Sequence, residues 1–244
     1  MTLRLDRWLA LLGPDSRSQA KERIRAGGVT VNGRTATDPA QAFDPETAEL
    51  RVGGRPVDGR ILRHVMLHKP AGVLTAARDR KQATVMDLLP PVYARIGCMP
   101  VGRLDRDTTG LLILTCDGEM NHRLLSPGRH VEKRYRARVT GRLGEAEIRR
   151  FAEGLELSDF QAAPAELIIL SAGEESSLAE TVIMEGKYHQ VKRMFAATGH
   201  EVLELHRRAF GPLELDPELE PGQWRELSGA ELALLRAAAG MGEA

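Results

Sequence analysis

The chain has 244 residues, of which 42% are hydrophobic and 28% are charged. This length exceeds that of a single mini-domain, and the composition excludes both a disordered polymer and a coiled coil. No run of about eighteen apolar residues occurs, and Arg4 and Asp6 interrupt the apolar start, unlike in a signal peptide. Cys98 and Cys116 are too few for a disulfide framework or a cysteine-based zinc site. We therefore expect a cytoplasmic globular protein.

The basic residues are concentrated in two zones, although the formal net charge of the whole chain is zero. Residues 4–34 contain seven basic and three acidic residues, and residues 129–138 contain five basic residues and one acidic residue. Residues 201–244 compensate with nine acids and four bases. Because RNA binding needs local positive charge rather than a basic average, both zones are candidate RNA contacts.

Two short helices are predicted within the first 26 residues. Apolar residues recur at three- and four-residue spacing from Leu5 to Leu12, which predicts a helix with one buried face, and Gly13-Pro14 ends it. A second helix is predicted from Ser16 to about Ala26, because a serine with Gln19 three residues later can form a capping box.

Three cations share one side of this second helix. Arg17, Lys21 and Arg25 lie four residues apart, so their side chains stack along the helix. The charge pattern alone leaves two interpretations open, a solvated basic face or a surface that binds a phosphate backbone.

A hairpin and a linker complete the N-terminal segment. Asn32-Gly33 after the alternating Val29-Thr30-Val31 predicts a type I′ turn, and the Gly/Pro-rich residues 53–59 predict a linker.

The stretch RLDRWLALLGPDSRSQAKERIRAGGVTVNGR resembles the S4-type RNA-binding module. The resemblance implies an RNA-binding domain at residues 1–60. Its candidate RNA contacts are Arg4, Arg7, Arg17, Lys21 and Arg25.

From residue 61 the sequence predicts a larger body with many strands. HVMLHKPAGVLTAA indicates an apolar strand, a turn at Lys69-Pro70-Ala71-Gly72 and a second apolar strand. The polar loop GRLDRDTTG, residues 102–110, runs directly into the apolar residues 111–115. Loops next to rigid strands often carry active sites, so residues 102–110 are a candidate for chemistry.

Two carboxylates in this loop, Asp105 and Asp107, are flanked by Arg103 and Arg106. The four side chains could form an ordinary surface ion-pair cluster, which contributes little to stability. Alternatively, the guanidinium groups hold a carboxylate ionised, because an adjacent opposite charge lowers its pKa, and an ionised carboxylate is a nucleophile or a base. The spacing alone does not decide which aspartate acts.

Four motifs behind the S4-like module resemble the RsuA/RluB/RluE/RluF group of pseudouridine synthases, in the order found in that group. They are HKPAGVLTA, GRLDRDTTGLLILT, EKRYRARV and EGKYHQVKRMFAATGHEVLELHR. The resemblance implies an α+β fold, with a mixed, largely antiparallel sheet and flanking helices forming a catalytic domain at residues 61–244. It also implies that no cofactor is needed, because the reaction only rearranges a uridine.

The resemblance assigns roles to four residues. Asp105, rather than its neighbour two residues on, matches the essential aspartate, and Arg103 and Thr108 belong to the same loop. Lys187 matches the basic residue that pairs with the aspartate across the site, with Arg103 as a second cationic neighbour. Tyr135 matches the tyrosine that stacks on the uracil and handles the C5 proton.

The implied reaction breaks the N1–C1′ bond of a uridine and rejoins the uracil through C5. The motifs look most similar to the group member that modifies small-subunit rRNA, although residues 208–211 (Arg-Ala-Phe-Gly) depart from the glutamate and isoleucine expected there. The target nucleotide must be extruded from folded rRNA, either naked or in a partly assembled subunit. Candidate phosphate contacts beside the pocket are Arg129, Lys133, Arg136, Lys192 and Arg193.

Other functions remain open at this point. The same activity on large-subunit rRNA is one, and a non-catalytic RNA-binding assembly factor is another, although intact Asp105, Tyr135 and Lys187 argue against it. A hydrolase would use Asp105 and Asp107 as paired carboxylates, but two residues apart on one loop they are poorly placed to flank a sugar. His189 is interpreted as structural. No metal site is expected, because ligand spacing is not found around His64, His68, His189, His200 and His206.

Overall fold

The computed structural model describes residues 2–242, which form two compact units. The first unit contains the residues up to Arg63 together with Pro90–Cys98. The second contains His64–Leu89 and the chain from Met99 onward. Across residues 2–242, none of the helices combines the length and the apolar character needed to cross a membrane.

The first unit combines short strands with short helices. The strands are β1 (Leu3–Arg4), β2 (Val29–Val31), β3 (Arg34–Thr35), β4 (Ala42–Phe43), β5 (Leu50–Val52) and β6 (Arg55–Val57). The helices are α1 (Leu5–Leu12), α2 (Arg17–Arg25) and α3 (Pro91–Arg95). Antiparallel pairing gives the order β3-β2-β5-β6, and β1 pairs separately with β4.

Both helices predicted in the first 26 residues are confirmed. Leu5 and Trp8 are buried on α1, and the capping box of α2 is formed. The Ser16 amide donates to Gln19 Oε1 at 2.8 Å, and the Gln19 amide donates to Ser16 Oγ at 3.4 Å. The Asn32-Gly33 turn is also confirmed, because both residues have the positive φ that a type I′ turn requires.

The second unit contains one large sheet with helices packed on it. Its strands are β7 (His64–Lys69), β8 (Met99–Pro100), β9 (Thr109–Thr115), β10 (Lys133–Thr140), β11 (Leu155–Glu156), β12 (Gln161–Ala162), β13 (Glu166–Ala172), β14 (Ser176–Ile183), β15 (Val202–Phe210), β16 (Leu213–Glu214) and β17 (Trp224–Glu226). Its helices are α4 (Gly118–Leu125), α5 (Glu145–Glu153), α6 (Gln190–Ala197) and α7 (Gly229–Ala238).

The large sheet has the order β13-β14-β10-β15-β9-β7-β17, with β8 and β16 paired at its sides. Only the β9–β15 pairing is parallel among the described strands, so the predicted α+β class with a mixed, largely antiparallel sheet is confirmed. β7 and β9 are almost completely buried, which explains their continuous apolar sequences. Met66, Ile113 and Phe210 share a core with Met120 and Leu235 of α4 and α7.

Side-chain alternation along β10 separates two kinds of residue. Tyr135, Ala137 and Val139 are buried on one face of the strand. Arg134, Arg136 and Arg138 alternate with them and therefore point to the opposite face. Along β10, a basic residue with an odd number therefore lies on the same face as Tyr135, and one with an even number lies on the opposite face.

The strand predicted after the Lys69–Gly72 turn is wrong. The chain there forms only a single bridge between Leu74 and Thr84. The reason is that Thr75 does not continue a ladder but hydrogen-bonds the polar loop, with Oγ1 donating to the Leu104 carbonyl at 2.7 Å. The apolar segment after Gly72 therefore holds the polar loop of residues 102–110 and does not extend the sheet.

Candidate active site

The polar loop that contains both aspartates lies between β8 and β9 and is anchored at Gly110. Gly110 has a φ of +105°, and an added Cβ would overlap the backbone of Arg207, its partner in the parallel β9–β15 pair. Only glycine permits such a close approach of two backbones at this φ. The C-terminal end of the loop is therefore fixed against β15.

A buried lysine holds the middle of the loop. Lys69 is completely buried, and its ammonium donates to the carbonyls of Pro70 (3.0 Å), Arg106 (3.2 Å) and Thr108 (2.9 Å). An ammonium has three N–H donors, so all of them are used. Burial lowers the pKa of Lys69 to about 8, against the opposing attraction of Asp107 and Asp105.

The segment after Lys69 adds further hydrogen bonds to the same loop. The Gly72 amide donates to the Arg106 carbonyl at 2.8 Å, and Arg106 Nε donates back to the Gly72 carbonyl at 3.2 Å. The Leu104 amide also donates to Thr75 Oγ1 at 3.2 Å. Residues 69–75 thus clamp the backbone on both sides of Asp105. Sequence reasoning missed this role, for which only the HKPAGVLTA resemblance was a signal.

Asp105 lies between two basic side chains. Its Oδ1 is 3.4 Å from His189 Nε2, and its Oδ2 is 3.6 Å from Lys192 Nζ. The side chain is 28% exposed, so it is neither sealed in the core nor out in bulk water. Lys192 also binds Asp107, with Nζ at 2.6 and 2.8 Å from the two carboxylate oxygens. This hydrogen bond holds the pKa of Asp107 below its usual value.

The expected pairing of Asp105 with Lys187 and Arg103 is not observed, which corrects the sequence analysis. The Lys187 ammonium lies 3.2 Å from Glu185 Oε1 and 3.9 Å from the centroid of the Phe160 ring. Arg103 is exposed and forms no ion pair within residues 2–242. The reason is that Lys187 lies in the loop before α6, whereas Lys192 lies on the helix itself and reaches the aspartates.

One pocket nevertheless brings together the residues that the motifs singled out. Asp105, Arg103, Tyr135 and Lys187 all line it. Tyr135 is 8% exposed and lies on β10 opposite Thr181 and Arg207. The pocket therefore combines a partly exposed carboxylate with an aromatic ring, at the end of a clamped loop.

Thr108 contributes an unused hydroxyl to this pocket. The residue is 1% exposed, and its Oγ1 has no hydrogen-bond partner within the described chain. A buried hydroxyl without a partner costs free energy, and such groups are uncommon in folded proteins. The hydroxyl therefore belongs to a pocket residue but does not use its hydrogen-bonding capacity within residues 2–242.

His189 has a role that the sequence analysis missed. It adopts a left-handed backbone conformation, with a φ of 49° and a ψ of 30°, at the start of α6. Such conformations are strained for a non-glycine residue and are concentrated at functional sites. No sequence pattern indicates this conformation, and it directs the imidazole toward Asp105.

The predicted phosphate contacts near the pocket have different surroundings. Arg136 is on the opposite face of the sheet from Tyr135, where Nε and Nη2 donate to Glu180 at 3.1 and 2.9 Å. Arg136 therefore does not lie beside the pocket, because neighbouring residues of a strand point to opposite faces. Arg129 packs its guanidinium against Gly240, near the end of α7.

The remaining predicted contacts lie on the pocket side. Arg193 donates to Ser158 at 3.0 Å and forms a short ion pair with Asp159. Lys133 donates to the Met184 carbonyl at 3.0 Å, and burial lowers its pKa to about 8, with a further contribution from Arg207. Lys192 and Arg193 also line a second, open groove with Asp107 and His189.

The basic residues of the first unit divide into two groups. Arg4 donates to the buried Asp6 at 3.1 Å, and Arg17 lies 3.9 Å from the same carboxylate. Hydrogen bonding from Arg4 keeps the pKa of Asp6 low. Arg7, Lys21 and Arg25, in contrast, pair with no carboxylate of the described residues.

Histidine, cysteine and carboxylate side chains can hold a metal ion where at least three of them converge. Between residues 2 and 242, no three of them are grouped in such a way. The pocket combines a carboxylate, a hydroxyl and a phenol ring with the basic side chains of Arg103, Lys187 and His189, and Lys192 lies beside its carboxylate.

Two family patterns and a solved structure match this chain. The pattern of the family described as RNA pseudouridylate synthase matches residues 63–197, and the S4 domain pattern matches residues 3–47. A crystal structure of a pseudouridylate synthase is 35% identical and has a TM-score of 0.66, covering 96% of this chain and 99% of its own.

Curated relatives match over nearly the whole length. The protein named uncharacterized RNA pseudouridine synthase YtzG, from Bacillus subtilis (strain 168), is 42% identical over 96% of this chain and 98% of its own. Ribosomal small subunit pseudouridine synthase A of Yersinia pestis is 37% identical, covering 95% and 97% of the two chains. Ribosomal large subunit pseudouridine synthase B of Bacillus subtilis is 37% identical, covering 98% of each. This chain, with its S4 domain, belongs to the RNA pseudouridine synthase family.

Proposed function

We propose that this protein isomerises a uridine of small-subunit rRNA to pseudouridine and that Asp105 is its catalytic carboxylate. The observation that carries the proposal is the position of Asp105, between His189 and Lys192 in the pocket that Tyr135 lines. Sequence similarity to the small-subunit enzyme of Yersinia pestis supports the choice of substrate.

The reaction leaves the atomic composition of the nucleotide unchanged. The N1–C1′ bond breaks, the uracil turns, and a C5–C1′ bond forms; the proton leaves C5 and N1 gains one. Asp105 begins this by attacking C1′ or C6, or by removing a proton from the sugar, and each route needs an ionised carboxylate. Lys192 places its positive charge 3.6 Å from one oxygen of this carboxylate, and His189 lies 3.4 Å from the other.

Tyr135 supports the uracil ring in this proposal. Its phenol ring lines the pocket beside Asp105, where it stacks on the extruded base and lies close to C5 when the proton leaves. Thr108 is a candidate donor or acceptor for the substrate, since its hydroxyl has no other partner within residues 2–242. Extrusion of the nucleotide costs about a few kcal/mol, which contacts to phosphate and base must offset.

The two parts of the chain have separate tasks. We assign RNA attachment to residues 1–60 and the chemistry to residues 61–244. The unpaired Arg7, Lys21 and Arg25 are the strongest candidates for phosphate contacts in the first part, because no carboxylate in the described chain neutralises them. Binding through these cations attaches the enzyme near its target, in naked rRNA or in a partly assembled subunit in the cytoplasm.

Large-subunit rRNA is the second candidate substrate, because the large-subunit enzyme of Bacillus subtilis is equally similar. Tritium release separates the two. Transcripts of small- and large-subunit rRNA labelled with C5-tritiated uridine are incubated with the protein, and the product site is mapped. The proposal predicts tritium release from the small-subunit transcript alone. Release from the large-subunit transcript alone would show that large-subunit rRNA is the substrate instead.

The same assay tests the activity itself. A hydrolase would liberate free uracil, and a non-catalytic assembly factor would bind the RNA without releasing tritium. We expect tritium release with no free uracil, because the detached base is rejoined to the same ribose.

A further inference from the structure

Tyr188 is an exposed aromatic residue next to the catalytic pocket. It is 71% exposed, more than any other large apolar or aromatic residue of the described chain. Its ring stacks on that of His189, with centroids 3.8 Å apart and planes 18° from parallel. One face of the tyrosine ring is thus covered by an imidazole, and the high exposure leaves the other side to solvent.

The loop that carries this pair is held rigidly. The Lys187 amide donates to Gln190 Oε1 at 3.1 Å, and Gln190 Nε2 donates to Glu185 Oε2 at 2.7 Å. Gln190 itself is 3% exposed. The left-handed conformation of His189 is retained despite its strain. These bonds hold the backbone on both sides of Tyr188, and the tyrosine ring itself rests on His189, so binding to it loses less conformational entropy.

The pair is continuous with the catalytic pocket through His189. The imidazole that stacks on Tyr188 also lies 3.4 Å from Asp105 Oδ1, where the target nucleotide must place its ribose and base. Cationic Lys187 and Lys192 lie in the same short segment and are only partly exposed, at 44% and 23%. An exposed aromatic face beside cations is the combination that binds unpaired nucleotides, because every base has a face that can stack.

We propose that Tyr188, backed by His189, forms a stacking subsite for the base of a nucleotide adjacent to the extruded uridine. The proposal rests on the proposed function, because it requires RNA in the pocket. The subsite takes an unpaired base of any sequence, and its contribution to binding comes from the base rather than from the phosphate.

Fluorescence anisotropy tests this with two probes of equal length. One is a fluorescein-labelled octauridylate, and the other is the same ribose-phosphate chain without bases. For Tyr188→Ala we expect about 5- to 150-fold weaker binding of octauridylate and unchanged binding of the abasic chain, following the usual stacking contribution of one base. Tyr188→Phe should stay within about twofold of wild type, because it keeps the ring.

Leu234→Ala is the matched control, because Leu234 is an exposed apolar residue on α7 with 51% exposure, and it should change neither affinity. Equal loss of affinity for both probes would overturn the subsite, as would wild-type affinity of Tyr188→Ala for octauridylate. Absence of tritium release from every rRNA transcript by the wild-type protein would instead refute the proposed function. The two failures are therefore distinguishable.

Discussion

At the scale of single residues, the Lys192 ammonium contacts the carboxylates of both Asp105 and Asp107. Lys192 lies 2.6 Å from Asp107 and 3.6 Å from Asp105, so the more exposed Asp107 competes for the charge that Asp105 needs. His189 approaches Asp105 from its other oxygen. This arrangement suggests that Asp107 fixes the position of Lys192, while Asp105 remains free enough to meet a substrate.

Lys192→Met should lower kcat/KM for tritium release by about 100-fold, the usual order of loss when one charge is removed from a preorganised site. Lys187→Met is the comparison, and it should cost less than about 10-fold, because Lys187 pairs with Glu185 rather than with Asp105. A larger loss in Lys187→Met than in Lys192→Met would restore the pairing inferred from sequence and contradict the one observed.

Thr108→Val tests the unpartnered hydroxyl. Removing a buried polar group that has no partner should leave the free energy of unfolding unchanged or raise it by about 1 kcal/mol. If the hydroxyl contacts substrate, kcat/KM should fall by about 10-fold, the value of one hydrogen bond of moderate strength. Denaturant unfolding and tritium release measure the two effects. Destabilisation with unchanged kcat/KM would make Thr108 a structural residue.

At the scale of elements, the loop of residues 102–110 is held by tertiary hydrogen bonds rather than by its own secondary structure. Lys69 reaches across to the carbonyls of Arg106 and Thr108, far away in sequence. Gly110 then joins the loop to β9 at the point where the backbone of β15 approaches most closely. A rigid loop matters here, because a displaced carboxylate loses most of its catalytic effect.

The buried ammonium makes stability depend on pH. The pKa of Lys69 is lowered to about 8 in the folded protein and is near its ordinary 10.5 when unfolded. Between these values the unfolded chain binds more protons, so the contribution of Lys69 to stability rises with pH. The test is to measure the free energy of unfolding of wild type and Lys69→Met from pH 7 to 10. Above pH 8 the wild type should become more stable relative to the variant. A constant or falling difference would contradict the buried charge.

Local patterns predicted the elements better than the site. Spacing and capping residues sufficed for α1 and α2, because these helices depend on contacts within a few residues. The choice between Lys187 and Lys192 depends instead on how a loop enters α6. That geometry follows from Gln190 and the strained His189, which no periodicity reveals. Asp105 and Tyr135 were predicted from resemblance, since spacing left the two aspartates equivalent.

At the scale of the whole molecule, a net charge of zero conceals an uneven distribution of paired and unpaired basic residues. Most basic residues of the second unit's exposed sheet face are paired, for example Arg136 with Glu180 and Arg138 with Glu204. In the first unit Lys21 and Arg25 stay unpaired within the described residues, and Arg17 only approaches Asp6 at 3.9 Å. Lys21 and Arg25 of α2 thus keep charge available for phosphate.

Replacing Arg17, Lys21 and Arg25 together with alanine should weaken rRNA binding and flatten its dependence on salt. Each lost phosphate contact lowers the slope of log affinity against log salt by about 0.7 to 0.9, so the total change should be about two. The control is a triple alanine variant of three paired arginines, Arg123, Arg138 and Arg142, which should leave the slope nearly unchanged. Equal slopes in both variants would remove α2 from the RNA interface.

The most direct test of the whole account compares two neighbouring carboxylates. Asp105→Asn and Asp107→Asn are assayed for tritium release from C5-labelled small-subunit rRNA, and their RNA affinities are measured in parallel. We predict that Asp105→Asn abolishes release with affinity within a few fold of wild type, whereas Asp107→Asn retains measurable turnover. Normal turnover by Asp105→Asn would contradict the account.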